Sequence, residues 1–511
     1  MKRRTWGHWL LGMATTGCAT QSKLSGPVAA AGQAAARPTD GSTSKPRLPE
    51  PGPLRSLPAP EVSEERLSDN GLTLIVAPRP GLPLASVALM VRCGPAFDPP
   101  GRRGCAELMA ALLTRGALRR GRAVDAGGLA RQAEALGSAV SVRVEDRLIV
   151  LEMTVLTPRV AEALALLSDL LRHPLLAAAD LQAVRAQARD ALALRLQDSA
   201  VLAGLVARRA AWGRHPLGRL TTPDSLMGVR HEDVVALHRR CVRPDRVAVV
   251  LAGDVGRADA RALVQSVMDD WRLPTDLLEA FADEPGLPLS TRPEPLLPPT
   301  LLINLPAATQ SSVLVCAPFV GTDAADHPAG HLAAAVIGAG YSARLNQDIR
   351  IRRGLSYGVT GRVEQQRDAG LFIASAQTAH AHAAEVATLM QTQLLALAQQ
   401  PVTPAELVAR RAALIGGFAR QLDTTSGMVA RIADDWARGG ASDRLARWPE
   451  RLEAVSPGQV GEFARRHWAP ERLRTVIVGP IDRLFASAAL PVGSARLEAR
   501  TLVLDSPTLR R

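Results

Sequence analysis

The sequence predicts an α+β fold in which two homologous domains follow one another along the chain. Three observations lead to this prediction. The length of 511 residues exceeds one ordinary core, segments in the two halves match at a constant offset, and strands precede helices in each half. This order predicts tandem α/β-sandwich domains, each with an antiparallel-rich sheet and helices on one face, and not a doubly wound parallel sheet.

The internal repeat depends on two pairs of matching segments. Residues 232–255 match residues 458–481, because each contains an amphipathic helix, a turn of proline, an acidic residue and arginine, and a β-branched strand. The prolines of the two turns are Pro244 and Pro470, and we call their separation the repeat offset. The same offset pairs the strand sequences SVALMVRC at 86–93 and SVLVCAPF at 312–319. Two unrelated segments with one offset indicate a tandem duplication.

Composition and hydropathy divide the chain into six parts. A stretch rich in proline, alanine and serine near the N-terminus and a proline-rich stretch near residue 290 are typical of linkers. The predicted parts are a signal peptide at 1–17, a flexible linker at 18–60, an N-terminal domain at 61–280, an interdomain linker at 281–300, a C-terminal domain at 301–482 and a C-terminal extension at 483–511.

The N-terminal segment predicts export. Three basic residues, Lys2, Arg3 and Arg4, precede a short apolar run, which is the pattern of a secretory signal. Small residues directly before Cys18 resemble a bacterial lipoprotein cleavage site, and the alternative is an ordinary signal peptide with a chance cysteine. We therefore expect a periplasmic protein, held at a membrane by a lipid on Cys18.

Charge and cysteine content exclude other classes of function. The formal net charge is +12, but the arginines are scattered and the chain has only two tyrosines, so we predict no nucleic-acid partner. The spacings of Cys93, Cys105, Cys241 and Cys316 match no zinc ribbon. A pair could bridge in an exported protein, and the sequence leaves open which pair; most of these cysteines are expected to be small buried apolar residues.

Three ordered motifs resemble the insulinase–pitrilysin family of zinc peptidases. They are RHPLG at 214–218, RPDRVAVVLAGDV at 243–255 and SARLNQDIRIRRGLSYGVTG at 342–361. The resemblance covers residues 66–481 and is strongest to bacterial two-domain members and to subunits of the mitochondrial processing peptidase. It implies a clamshell built from the two predicted domains.

The resemblance also implies where a zinc site would lie. Catalytic members carry His-x-x-Glu-His on a helix of the first domain, with a further glutamate on a later helix. These positions correspond here to Glu107, Ala110, Ala111 and Ala191, so both imidazoles, the general base and the later glutamate are absent. Asp190 lies beside the last position but binds no zinc alone. We therefore predict no metal and no cofactor in this chain.

A second functional motif of the family is intact. In the family, an arginine and a tyrosine seven residues apart in the second domain contact the substrate carbonyl, and the matching residues are Arg350 and Tyr357. A guanidinium and a phenol can both donate hydrogen bonds to a carbonyl oxygen as negative charge develops on it. The alternative is that Tyr357 packs in a strand and Arg350 is a surface residue.

These motifs together favour a non-catalytic subunit that is not active alone. It would bind an extended peptide and supply Arg350 and Tyr357 to a zinc-bearing homologous partner in a heterodimer. One alternative is a scaffold or peptide-binding lipoprotein with no proteolytic role. Another is an active peptidase with a relocated metal site around His327 and His331, in the half that also holds His380 and His382. For these histidines we expect structural or surface roles, and for His215 a structural role in a turn.

Overall fold

The computed structural model describes residues 60–67, 70–272, 296–440, 443–484 and 493–510. The predicted signal peptide, Cys18, nearly all of the 18–60 linker and most of the 281–300 linker lie outside these residues. Within the described part of the chain, no helix is long and apolar enough to cross a membrane.

The first half of the chain forms a six-stranded sheet. Its strand order is β1-β2-β8-β3-β7-β6, in which β2 and β8 are parallel and the other neighbours are antiparallel. A separate hairpin of β4 and β5 lies beside it. The strands are β1 (Ser63–Arg66), β2 (Thr73–Pro78), β3 (Leu84–Val91), β4 (Gly116–Arg119), β5 (Arg122–Asp125), β6 (Ser141–Glu145), β7 (Leu148–Leu156) and β8 (Val247–Gly253).

The second half forms a sheet of the same design. Its strands are β9 (Thr300–Asn304), β10 (Ser311–Val320), β11 (Ser356–Gln365), β12 (Ala369–Thr378), β13 (Arg474–Gly479) and β14 (Ser494–Glu498). Five of them have the order β9-β13-β10-β12-β11, which reproduces β2-β8-β3-β7-β6 of the first sheet. The predicted α+β class with two homologous tandem domains is therefore confirmed. Strand β9 begins at the last residue of the predicted interdomain linker.

Helices cover both sheets. They are α1 (Cys105–Leu112), α2 (Ala126–Ala135), α3 (Val160–Arg172), α4 (Ala178–Arg195), α5 (Ser199–Trp212), α6 (Pro223–Gly228), α7 (His231–Cys241), α8 (Arg257–Met268), α9 (His327–Gly338), α10 (Ala383–Ala396), α11 (Pro404–Gln421), α12 (Thr425–Ala437), α13 (Asp443–Glu453), α14 (Pro457–His467) and α15 (Ile481–Leu484). Adding the repeat offset to the first and last residue numbers of α4 gives those of α11. The same addition to the bounds of α7 gives those of α14.

The two halves exchange one helix each. Helix α5 packs on the second sheet, where its leucine, valine and alanine side chains contact β9, β10, β12 and β13. Helix α12 packs in turn on the first sheet, against β3, β7 and β8. Each sheet thus has its own helices on one face, as predicted, and the exchanged helix on the other. Central strands buried on both faces explain why they are almost continuously apolar.

Matching hydrogen bonds attach the exchanged helices. At the start of α5, the hydroxyl oxygens of Ser199 and Ser312 lie 2.8 Å apart. At the start of α12, the Ser86 hydroxyl donates to Thr425 Oγ1 over 2.8 Å. The repeat offset relates Ser86 to Ser312, and it also relates Ser199 to Thr425. The duplication therefore preserves the contacts between the halves as well as the strands.

The predicted C-terminal extension completes the second sheet. Strand β14 pairs in parallel with β9 at the edge that corresponds to β1 in the first sheet. The residues after β14 reach the exchanged helix α5. There the buried guanidinium of Arg209 donates to the carbonyl oxygens of Asp505 at 2.5 Å, Ser506 at 3.0 Å and Gly218 at 2.8 Å. This extension therefore fixes α5 on the second sheet.

Candidate functional site

The helix α1 is positioned by contacts at its N-terminus. Both carboxylate oxygens of the buried Asp98 accept backbone N–H groups, from Gly104 and Ala106, each at 2.8 Å. Burial raises the pKa of the Asp98 carboxyl to about 7, and these hydrogen bonds oppose the shift. Gly104 has a φ of 94°, and a Cβ there would lie 2.5 Å from the Leu226 side chain. A glycine is therefore required where α1 begins.

The positions that match the zinc motif lie around one cavity. Glu107 on α1 and Ala191 on α4 line a space of about 380 Å³, which we call the α1–α4 cavity. Ala110 is buried in the core of the first domain, and Ala111 is exposed on α1. The structure thus brings Glu107 and Ala191 together, as the resemblance implies for the motif helix and the later helix.

These residues do not fit a zinc ion. Zinc sites in proteins use three or four Cys, His, Asp or Glu side chains, and two of the three side chains that would be ligands here are methyl groups. Asp190 lies on the surface, where it pairs with Arg189 at 2.7 Å, and it does not line the cavity. No group of three potential metal-binding side chains exists in the described residues. The α1–α4 cavity therefore offers no zinc site.

Glu107 is the one acidic side chain of α1, and it opens into the cavity. The surrounding protein raises the pKa of its carboxyl by removing bulk water. A hydrogen bond with the Thr221 side chain and the charges of Arg103 and Arg195 oppose this shift. The carboxyl therefore lies among basic groups.

Arg350 lies on a π-helix, the segment Asn346–Arg352. Such turns are rare and occur frequently at functional sites. The Asn346 side chain holds this segment against β11, since it donates to the Val359 carbonyl at 2.7 Å and accepts the Val359 N–H at 2.9 Å. A further bond to the Gly340 carbonyl, 3.0 Å long, fixes the start of the turn. Arg350 is thus presented by an anchored, irregular helix.

Tyr357 lies in a β-bulge at the start of β11. The pairing of β11 with β12 shifts register between Ser356 and Val359, so Tyr357 leaves the regular ladder. The Ser356 hydroxyl stabilises the bulge, because it donates to the Gln377 carbonyl at 2.7 Å and accepts the Gly358 N–H at 3.2 Å. The Tyr357 side chain is 90% exposed. Bulges commonly re-aim a side chain next to an active site.

The π-helix and the bulge bring Arg350 and Tyr357 to one place. The Arg350 guanidinium carbon lies 4.8 Å from the centre of the Tyr357 ring and 5.0 Å from that of Tyr341. Both tyrosines of the chain therefore hold one guanidinium by cation–π contacts. Arg350 and Tyr357 line a space of about 740 Å³, which we call the Arg–Tyr cavity. Tyr357 is thus a strand residue whose exposed ring contacts Arg350.

The pair is free to bind an acceptor. Among the described residues, no carboxylate or carbonyl oxygen accepts a hydrogen bond from the Arg350 guanidinium, and the Tyr357 hydroxyl is likewise without a partner. A guanidinium has five N–H donors and a phenol one O–H donor. The Arg–Tyr cavity can therefore donate hydrogen bonds to a carbonyl oxygen.

Helix α5 forms a wall of both cavities. Its residues Ala200 and Gly204 line the Arg–Tyr cavity, whereas Leu205 and Arg208 line the α1–α4 cavity. Gly204 and Arg208 are one turn apart on the same helix face. The exchanged helix thus connects the degenerate motif of the first domain with the Arg/Tyr motif of the second.

Family models match most of the folded part of the chain. The model described as insulinase (peptidase family M16) matches residues 75–222, and that described as the peptidase M16 inactive domain matches residues 228–414. The chain belongs to the insulinase-type (M16) peptidase family.

Curated relatives cover nearly the same region. An uncharacterized zinc protease of Mycobacterium leprae is 23% identical over 412 residues, which are 80% of this chain and 90% of that protein. The non-peptidase homolog YmxG of Helicobacter pylori is 23% identical over 430 residues, 84% of this chain and 96% of the relative.

Solved structures share the fold. A peptidase M16 inactive domain from Pseudomonas fluorescens has a TM-score of 0.73 and 20% identity, and the match covers 84% of this chain and 100% of that one. A protease from Helicobacter pylori has a TM-score of 0.71 and 16% identity, with 82% and 99% coverage. These similarities extend the M16 fold to both halves of the chain.

The histidines considered for a relocated metal site lie in the interior of this M16 fold. Pro328 and Gly330 do not prevent a helix, because α9 begins at His327 and Pro328 occupies its first turn. The Nε2 atoms of His327 and His331 are 3.2 Å apart, and both contact the Gln365 side-chain oxygen, at 3.1 and 2.8 Å. Phe319 and Trp448 surround the two rings.

The environment of this histidine pair disfavours a cation. Burial lowers the pKa of His331 to about 4, and it also lowers the pKa of His327. Arg431 and Arg438 lower the pKa of His331 further, and Asp434 raises it. The pair has no acidic third ligand in the described residues. These contacts support the structural role.

The buried histidine pair predicts a loss of stability in acid. In the unfolded chain each imidazole takes up a proton near pH 6.5, whereas the folded chain resists protonation, so the unfolded state binds more protons between pH 6.5 and pH 4. The free energy of unfolding should therefore fall as the pH falls, by about 1.4 kcal/mol per pH unit for each histidine. Urea unfolding of the wild type and of His327→Gln/His331→Gln measures this slope, which should be smaller in the variant. An equal slope in both proteins would contradict the account.

The other three histidines considered from the sequence, His215, His380 and His382, have local partners. His215 Nδ1 accepts the Leu217 N–H at 3.1 Å and so stabilises the predicted turn. Burial lowers the pKa of His215 to about 4. His380 Nδ1 lies 3.0 Å from the Ser311 hydroxyl, and His382 lies 3.9 Å from Glu385. None of these side chains lines either cavity.

The four cysteines of the described residues are all buried and free. Cys93 and Cys241 are hydrogen-bonded to each other in the first domain, and Cys105 lies close to both. Burial raises the pKa of the Cys93 and Cys105 thiols, and that of the Cys316 thiol to about 12. The prediction of small buried apolar residues describes their environment correctly.

Two features of the site are not among the residues predicted from the sequence. Tyr341 completes the cation–π contacts of Arg350, and its position in the same motif was the available signal. Four arginines converge on the α1–α4 cavity, namely Arg103, Arg195, Arg208 and Arg219. They come from α4, α5 and two loops, so no local motif marks them.

Proposed function

We propose that this chain is a non-catalytic, zinc-less subunit of an M16 metallopeptidase. It would bind an extended peptide and donate hydrogen bonds from Arg350 and Tyr357 to the substrate carbonyl, while a zinc-bearing homologous partner supplies the metal. The observation that supports this most is the contrast between two cavities of one fold. The α1–α4 cavity has no zinc ligands, whereas a π-helix and a bulge hold the Arg/Tyr pair intact.

The proposed role of the pair is electrostatic. A guanidinium and a phenolic hydroxyl fixed near a carbonyl oxygen stabilise the negative charge that forms there during peptide hydrolysis. The two tyrosine rings restrict the Arg350 side chain to one place, so little side-chain entropy would be lost on binding. The cavity of about 740 Å³ is large enough for several residues of an extended peptide.

Complex formation tests the partnership. The chain is mixed with a homologue from the same organism that carries His-x-x-Glu-His, and the molar mass is measured by light scattering after size exclusion. We expect a one-to-one heterodimer. Only separate species at micromolar concentration would contradict a stable partnership.

The second candidate function is a scaffold or peptide-binding protein without any role in proteolysis. The similarity to the non-peptidase homolog of Helicobacter pylori supports it. The two candidates differ at one point, because a scaffold needs no free donors on Arg350 and Tyr357. Peptide cleavage that depends on this pair would therefore exclude the scaffold.

We further propose that the protein is exported and lipid-anchored in the bacterial periplasm. The support is the sequence of residues 2–18, with basic residues, a short apolar run and small residues before Cys18. The replacement Cys18→Ser should remove the lipid attachment and move the protein from the membrane fraction to the soluble periplasmic fraction. Incorporation of labelled palmitate and fractionation measure this change. A wild-type protein that is soluble and unlabelled would contradict the anchor.

A further inference from the structure

The charged side chains that line the α1–α4 cavity are mainly basic, although catalytic members of the family bind a metal cation at the matching positions. Four guanidinium groups line it, from Arg103, Arg195, Arg208 and Arg219, against the two carboxyl groups of Glu107 and Asp146. With both carboxyl groups ionised, the formal charge of the lining is +2. Arginine is the side chain best suited to bind a carboxylate, through paired N–H donors.

Two of these arginines form the fixed frame of the cavity. Arg208 pairs with Asp146, and its Nε donates to the Leu217 carbonyl at 2.7 Å. Arg103 donates to the carbonyl oxygens of Pro216 and Arg219, at 3.0 and 2.8 Å. The donors of these two residues are thus largely used within the protein.

The other two arginines have unused donors. Arg195, at the end of α4, and Arg219, after the RHPLG turn, are exposed at the cavity. In the described part of the chain, neither guanidinium makes a hydrogen bond or an ion pair with an acidic side chain, apart from the longer-range effect of Arg195 on Glu107. Two cationic groups from different segments therefore line one cavity with their hydrogen-bond donors unused within the described residues.

The rest of the lining indicates the kind of anion. Most of the other lining residues are leucine and alanine, namely Ala188, Ala191, Leu192, Leu205, Leu220 and Leu226, beside Pro95 and Thr221. Hydrocarbon walls beside guanidinium groups match a carboxylate carried on an amino acid. Glu107 and Asp146 would repel a dianion such as phosphate more strongly than a monoanion.

We propose that the α1–α4 cavity binds the carboxylate of a peptide, either its C-terminal carboxylate or an acidic side chain, through Arg195 and Arg219. The choice of a peptide rests on the proposed function, since α5 joins this cavity to the Arg–Tyr cavity. The carboxylate specificity rests on the arginines alone. At the place where catalytic family members bind a metal cation, this chain would therefore bind an anion.

Three fluorescein-labelled peptides of one length test the proposal by anisotropy with the full chain. The first ends in leucine with a free carboxylate, the second is its C-terminal amide, and the third is the amide with one alanine replaced by glutamate. We expect the first or third to bind at least about tenfold more tightly than the second. The affinity of the first peptide relative to the second gives the contribution of the C-terminal carboxylate. The affinity of the third relative to the second gives the contribution of the acidic side chain.

The variant Arg195→Gln/Arg219→Gln should remove this preference, so that neither carboxylate peptide binds more tightly than the amide. The matched control is Arg189→Gln/Arg214→Gln, which removes the same charge from nearby positions outside the cavity lining and should retain the preference. Equal affinity for all three peptides would overturn this inference but leave the proposed function standing, provided that binding depends on Arg350. Binding of none of the peptides would overturn both.

Discussion

Replacing Arg350 by alanine is expected to lower kcat/KM of the reconstituted heterodimer by about 100-fold to 1000-fold. The variant loses the guanidinium donors that would stabilise the developing oxyanion. In other enzymes, the loss of one such donor raises the activation free energy by about 3–4 kcal/mol. Tyr357→Phe removes one hydroxyl and should have a smaller effect in the same direction. The measurement is the cleavage rate of a quenched fluorescent peptide by the mixture.

The matched control for this experiment is Arg352→Ala. Arg352 lies on the same π-helix, carries the same charge and is exposed, but it pairs with Asp348 at 3.2 Å and does not line the Arg–Tyr cavity. Its replacement should leave the rate nearly unchanged. If Arg350→Ala and Arg352→Ala had equal rates, the proposed role of the pair would be wrong.

Replacing Arg209 by methionine is expected to destabilise the protein by about 3 kcal/mol. The Arg209 side chain is only 2% exposed. It donates to the carbonyl oxygens of two C-terminal residues, Asp505 and Ser506, and to that of Gly218 in the turn after α5. Methionine fills much of the space but leaves these carbonyls, of which that of Gly218 is buried, without their donor. An unsatisfied buried group costs about 1–3 kcal/mol. Urea unfolding, followed by tryptophan fluorescence, measures the loss.

Arg214→Met is the control for the stability measurement. Arg214 is exposed just beyond the end of α5, and in the described residues it makes no hydrogen bond. Its replacement should change the free energy of unfolding by less than about 0.5 kcal/mol. A similar small change for Arg209→Met would show that the C-terminal extension does not hold α5 in place.

Much of the fold could be predicted because the duplication is visible in the chain itself. The repeat offset correctly equated β3 with β10 and β8 with β13, and it also relates the hydroxyl contacts of Ser86 and Ser312. The exchange of α5 and α12 could not be predicted. A hydrophobic pattern shows which face of a helix is buried, but it does not show which sheet covers that face.

The site was predictable where residues are close in sequence. Arg350 and Tyr357 belong to one continuous motif, so the resemblance could indicate both, and the structure places their side chains next to each other. Their joint orientation depends on a π-helix and a β-bulge, which leave no periodic signal. The basic lining of the α1–α4 cavity was hidden for a different reason, because Arg195 and Arg219 are separated in the sequence and arginine is frequent throughout the chain.

An active site shared between this chain and a zinc-bearing partner is tested by measuring peptide cleavage by this chain, by the zinc-bearing homologue and by their mixture. We expect little cleavage by either chain alone and strong cleavage by the mixture, which a chelator should abolish by removing zinc from the partner. Full activity of the homologue alone, unchanged when this chain is added, would contradict the account. Zinc-dependent cleavage by this chain alone would contradict it as well.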